Sequence, residues 1–231
     1  MIALLVAAEL VVFAASSLRE AFQQLGNSFE QGQPGAHVAL NLAGSQDLRV
    51  QIENGAAADV FASADLRQMQ ALAKLAVAPK IFARNVPVLV VPAGNPAGLR
   101  SFADLPKARR IVLGAAEVPI GAYTERILEA AGPEFRRRVE ERVVSRELNV
   151  RQVLAKVALG EADAAIVYRT DAQAAAGKVQ VLEIPGAPIA EYPIATLARA
   201  PHPDLAQRFV ELVLSPAGQR VLESCGFQRA P

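Results

Sequence analysis

Short apolar runs recur along the chain, and each gives way at a small polar residue to a stretch with helical spacing. Residues 11–15 read as a buried strand, and Ser17 then stands as N-cap to the amphipathic stretch that Leu18, Arg19 and Glu20 begin. Residues 38–42, followed by Ala43, Gly44 and Ser45, repeat that grammar, with a helix expected over 46–53. Further strands are predicted at 58–65, 86–91, 111–115, 143–144, 164–168, 179–184 and 192–197. Helices are predicted at 66–75, from Gly121 to Ala131, over 150–159 behind Asn149, over 170–176, and as a pair within 203–224, with a proline-rich turn and a small helix at 95–105.

Strands alternating with helices of this kind predict an α/β fold with mainly parallel sheets. The runs at 86–91 and 192–197 each carry a proline at their second position and suit crossings between lobes. The expected division is residues 1–84 with 194–231 as one lobe and 85–193 as the other. A single doubly wound sheet is the alternative. A strand that stops where a helix starts leaves backbone N–H groups and a positive helix end at the carboxyl edge of the sheet, where anions bind.

Composition narrows the functions. The 231 residues are 52% hydrophobic, enough for a full core, and 24 Lys plus Arg against 23 Asp plus Glu give no field for a polyanion, so nucleic acid is not an expected partner. Arg136, Arg137 and Arg138 sit among Glu134, Glu140 and Glu141 and read as a solvated helix face. Two His and one Cys assemble neither a His/Cys metal site nor a disulfide framework. Cys225 reads as a packed small side chain. Asp59 and Asp65 flank a strand and read as turn caps. Residues 1–8 resemble the tail of a signal peptide, with Val6, Ala7 and Ala8 suited to cleavage, which points to export with an incomplete leader; a ragged first strand is the alternative.

The motifs V-F-A-A-S-S-L at 12–18, A-G-S-Q-D-L at 43–48, A-D-V-F-A-S-A-D at 58–65, V-P-I-G-A-Y at 118–123, N-V-R-Q-V-L at 149–154 and A-D-A-A-I-V-Y at 162–168 together resemble the periplasmic molybdate-binding proteins of ABC transporters, within the type II solute-binding fold. S-P-A-G-Q-R-V-L-E-S-C-G-F at 215–227 is similar to the ending of many solute-binding proteins. The resemblance spans the chain from Leu10 onward. It implies a two-lobed fold whose lobes close on a tetrahedral oxyanion, molybdate or tungstate, and present it to a membrane permease.

That resemblance also implies the ligand set: the hydroxyls of Ser17, Ser45 and Tyr168 and the backbone N–H groups of Ile120 and Val150, with no cofactor and no metal cation. Ile120 stands where family members often carry Ala, which implies a bulkier pocket wall, and Ser16 lies in a neighbourhood that varies. A dianion only accepts hydrogen bonds, so such a site presents donors throughout, and helix ends at Ser17, Ser45, Gly121 and Val150 suit it. Arg151 and Glu147 suit a local ion pair. The chain is expected to be an exported monomer, in the periplasm or at the cell surface, and not an enzyme. Two rival readings stay open. A hydrolase would need Ser17 or Ser45 beside His37 or His202, although G-x-S-x-G is absent; a sensing domain of a regulator would use the same fold.

Overall fold

The computed structural model describes residues 8–230. Most of the expected leader segment, residues 1–7, lies outside the described residues. The chain divides into two compact units, one built from the residues up to Arg84 and those from Glu191 onward, the other from Asn85–Ala190.

The first unit opens with β1 (Ala8–Ala15), a 3-10 turn (Ser16–Leu18) and α1 (Arg19–Gly32). β2 (Ala36–Ala43), α2 (Ser45–Glu53), β3 (Val60–Ala62), α3 (Leu66–Ala71) and β4 (Ala76–Asn85) follow. The second unit runs through β5 (Pro87–Pro92), a 3-10 turn (Phe102–Lys107), β6 (Ile111–Gly114), α4 (Pro119–Ala130), α5 (Pro133–Glu140), β7 (Val143–Glu147), α6 (Val150–Ala158), β8 (Ala164–Tyr168), α7 (Arg169–Ala174) and β9 (Val179–Leu182). The chain then re-enters the first unit as β10 (Ala190–Leu197), α8 (Pro203–Leu214), α9 (Pro216–Ser224) and β11 (Gln228–Arg229).

Each unit has one mixed sheet flanked by helices. The first has the order β11-β4-β10-β3-β1-β2 and the second β7-β6-β8-β5-β9. β2-β1-β3 in one and β7-β6-β8 in the other pair in parallel, whereas β10 against β3, and β5 against β8 and β9, are antiparallel. β4 and the two-residue β11 are strands the pattern did not announce: in β4, Pro79 and Lys80 interrupt it and its first half is exposed, so only Phe82, Ala83 and Asn85 near its end carry a buried signal. The turn expected within 95–105 is braced by Asn95, whose side chain bonds both the N–H and the C=O of Leu99, and the small helix expected there is the 3-10 turn that follows.

The first sheet is buried on both faces. Phe13 and Phe61, paired in register, pack with Leu48, Ile52 and Met69 on one side. Phe22 meets Phe82 and Phe209 on the other, and Phe82 in turn meets Tyr192. In the second unit β5 is apolar without alternation because its neighbours cover it on every side; Val88, Leu89, Val90 and Val91 are fully buried. Arg136 and Arg137 pair with Glu129 and Glu134 at 3.1 and 2.7 Å, an exposed and mutually neutralised helix face.

One buried carboxylate sets the register between β6 and β8. Asp163, just before β8, accepts from the backbone N–H groups of Arg109 and Arg110 at 3.0 and 2.9 Å and from the Arg110 guanidinium at 2.9 Å. Burial pushes this carboxyl up, but the Arg110 side chain and the two amides outweigh it and hold it below the usual carboxylate value. Its contribution to stability is complete above the unfolded carboxylate pKa of about 3.9 and is lost as pH falls through the lower folded value. Asp163→Asn is expected to lower the melting temperature at neutral pH, and the gap to the wild type should close below about pH 4, as thermal unfolding across a pH series will read.

Candidate functional site

In the first unit, three parallel strands stop side by side. Ala15 of β1 pairs with Ala43 of β2, and Ala14 with Ala62 of β3, so the turns that follow deliver Ser16–Ser17, Gly44–Ser45 and Ser63–Ala64 to one sheet edge. Ser17 and Ser45 are 2% and 1% exposed, and the structure brings them to adjacent strand ends.

Neither serine is an N-cap, which corrects the expectation from the sequence. Ser17 lies inside the 3-10 turn, behind Ala15 at the cap position, and Ser45 is the first residue of α2, behind Gly44; neither helix start has a side-chain cap bond. Their hydroxyls are engaged sideways instead. Ser17 Oγ lies 3.0 Å from the Tyr192 hydroxyl on β10, and Ser45 Oγ accepts from the Ala64 N–H at 3.1 Å. Leu48 and Asp47 N–H groups both turn to the Gly44 carbonyl, and the Ser45 amide, ahead of them, has no acceptor within its helix.

The second unit repeats the arrangement at the ends of β6, β7 and β8. Gly114 pairs with Glu147, and Val112 with Ala165, which places the starts of α4, α6 and α7 along one edge. Ile120 is the second residue of α4, behind Pro119, and the amides of Ile120 and Gly121 have no acceptor within the helix, since Ala122 is the first to reach back, to Val118. The Ile120 side chain is fully buried, and its Cγ2 fills the space where a side chain on Gly114 would stand.

At α6 the cap is a side chain. Asn149 Oδ1 accepts from both Arg151 and Gln152 N–H at 3.1 Å, so of the amides that open this helix Val150 is the one ahead of the capped pair. Tyr168 ends β8 at 1% exposure with its ring edge-on to Tyr123 of α4, 6.2 Å between centroids. The second unit thus brings Ile120, Val150 and Tyr168 to three neighbouring strand ends.

The charges near these donors are spoken for. Arg151 follows Val150, and its Nε lies 2.7 Å from Oδ1 of the fully buried Asp171 in α7. This corrects the expected Arg151–Glu147 pair: Glu147 accepts instead from Ser145 Oγ at 2.7 Å and lies 4.0 Å from Lys156. The imidazoles are engaged elsewhere, His37 with Glu30 at 2.8 Å and His202 with Asp59 at 3.6 Å. Asp59 also accepts from the backbone of Val11 and His202, and Asp65 caps α3 through Gln68 N–H, so both carboxylates serve the backbone. Burial pushes the Cys225 thiol up, away from a reactive thiolate. Among the described residues no group of His, Cys, Asp and Glu could hold a metal ion, and no helix is long and apolar enough to cross a membrane.

Residues 10–228 match the family described as bacterial extracellular solute-binding protein. The molybdate-binding protein ModA of Mycobacterium tuberculosis is 44% identical over 229 residues, covering 96% of this chain and 85% of the relative. The substrate-binding domain of a putative molybdenum ABC transporter from Clostridium difficile superposes with a TM-score of 0.72 at 29% identity, over 97% of this chain and all of that one. The sulfate-binding protein SubI of Mycobacterium tuberculosis superposes with a TM-score of 0.89 at 20% identity, over 96% of this chain and 87% of that one. The backbone fold is therefore shared by proteins named for different solutes.

The close approach of α4 to β6 depends on one missing atom. A Cβ on Gly121 would stand 1.9 Å from the Ala115 carbonyl oxygen, a backbone atom that cannot swing aside. Gly121→Ala is expected to push the first turn of α4 away from β6 and to cost at least about 1–3 kcal/mol, measured by chemical denaturation of the variant beside the wild type.

Proposed function

The chain belongs to the bacterial extracellular solute-binding protein family, and from that premise we propose that it captures molybdate outside the cytoplasm, as a monomer, and passes it to an ABC permease. The observation that carries this reading is the donor set: two nearly inaccessible serine hydroxyls and three helix starts without side-chain caps, with the neighbouring Arg151 already paired to Asp171. The 44% identity to a relative named as a molybdate-binding protein agrees with it.

In this reading the Ser17 and Ser45 hydroxyls, the Ile120 and Val150 amides and the Tyr168 phenol donate to the oxygens of a dianion. Molybdate has four oxygens, two negative charges and no proton, and it accepts every hydrogen bond offered. Charge-assisted bonds of this kind are about twice as strong as neutral ones, and each helix start adds about 0.3–2 kcal/mol toward an anion. The ligand keeps its charge while bound, which favours release once the donors separate. Tungstate, alike in shape and charge, binds the same donors. Sulfate is smaller and meets them loosely, and hydrogen phosphate brings a donor where the site donates.

Calorimetric titration with molybdate, tungstate, sulfate and phosphate tests this directly. Heat with the first two and much weaker binding of the others is the expected result; no heat with either heavy oxyanion overturns the reading. Ser17→Ala and Ser45→Ala should each weaken molybdate binding by at least about fivefold, the equivalent of about 1 kcal/mol for a buried donor.

A further inference from the structure

Resting on the reading of Ser17 as an anion donor, we propose that Tyr192 is a positioning residue: its hydroxyl donates to Ser17 Oγ, turns the serine proton toward the ligand, and so excludes anions that carry a proton of their own. Tyr192 is fully buried on β10, its ring held edge-on by Phe82 at 6.4 Å and Phe227 at 5.4 Å. Its hydroxyl lies 3.0 Å from Ser17 Oγ, across 175 positions of sequence.

Chemistry gives this bond its direction. A phenol is more acidic than an aliphatic alcohol and its oxygen lone pairs are delocalised into the ring, so it donates better than it accepts. With one lone pair taken by Tyr192, Ser17 keeps its hydrogen and a second lone pair, and it is the hydrogen that we assign to the ligand. Ser45 shows the same device with no ambiguity. Its oxygen accepts from the Ala64 N–H at 3.1 Å, and a backbone amide can only donate. The two serines follow neighbouring parallel strands, and both receive their bond from the β3–β10 side of the sheet, where the Ser63 N–H bonds the Pro193 carbonyl beside Tyr192.

A hydroxyl oriented in this way meets the ligand with its proton. Molybdate and sulfate carry no proton at neutral pH and accept from it. Phosphate carries at least one there, and its P–OH finds an opposing donor at Ser17. Removing the phenolic oxygen while keeping the ring leaves Ser17 free to rotate and to accept from P–OH.

The test is calorimetry on wild type and Tyr192→Phe with molybdate, sulfate and phosphate, beside ligand-free thermal unfolding to confirm the fold. Molybdate and sulfate should each weaken by the same factor, about 3–10-fold, while the ratio of phosphate to molybdate Kd falls about tenfold or more. Equal weakening of all three anions means that Tyr192 only packs the core, and overturns the inference. In a Ser17→Ala background, Tyr192→Phe should leave the phosphate ratio unchanged, because no hydroxyl remains to be turned; a further change there also overturns it. Replacing Tyr192 by 3-fluorotyrosine, a more acidic phenol on nearly the same ring, should maintain or sharpen phosphate exclusion, and relaxed exclusion overturns the direction of the bond. A wild-type chain that binds none of the three overturns the reading of the site and this inference with it. A wild type that binds, matched in all respects by Tyr192→Phe, overturns the inference alone.

Discussion

The amide groups that open a helix have no carbonyl behind them to bond, and in both units of this chain that deficit is gathered at a single sheet edge. The cause is parallel pairing. Strands that run the same way end at the same edge, and the register of Ala15 with Ala43, and of Gly114 with Glu147, brings those ends level. The helix starts then divide into two kinds. Those of α3 and α6 are met by side chains, Asp65 and Asn149, whereas the 3-10 turn at Ser16, α2 and α4 have no side chain bonded at the cap. The second kind is where an external acceptor has most to offer, and Ser17, Ser45 and Ile120 all sit there.

Much of this was legible because local pattern and tertiary placement agree. The apolar run at Ala164–Tyr168 became a strand with the same ends, and Asn149 was readable as a cap because its side chain acts within its own helix. What stayed hidden is what depends on distant partners. Ser17 and Ser45 carry the residue type and position of caps, but their oxygens are claimed from elsewhere, by Tyr192 and by Ala64. Nothing within a few residues of Ser17 announces Tyr192. β4 was missed for a related reason: with Pro79 and Lys80 on an exposed half, its identity comes from its place in the sheet beside β10 rather than from its own composition.

The handling of charge is as informative as the donors. A cation in the first turn of a helix faces the positive end of its dipole and is disfavoured there, yet Arg151 occupies that turn of α6. Asp171, fully buried in the first turn of α7, compensates it at 2.7 Å. The pair ties the segment bearing Val150 to the segment bearing Tyr168, and Thr170, also in α7, accepts from the Asn85 side chain at 2.8 Å, which fastens the same helix to the end of β4. A neutralised guanidinium leaves the surroundings governed by oriented bonds more than by net charge, and oriented bonds are sensitive to the shape and protonation of whatever they meet.

The strand order has a bearing on how the molecule comes into being. β10 lies between β4 and β3 in the first sheet, although it is made only after the whole of Asn85–Ala190. A chain growing from its amino end can therefore complete the inserted unit first, while β3 waits with an open edge for the residues that follow that unit. Tyr192 rides on that later strand, so the serine it touches acquires its final surroundings only after the inserted unit has been made.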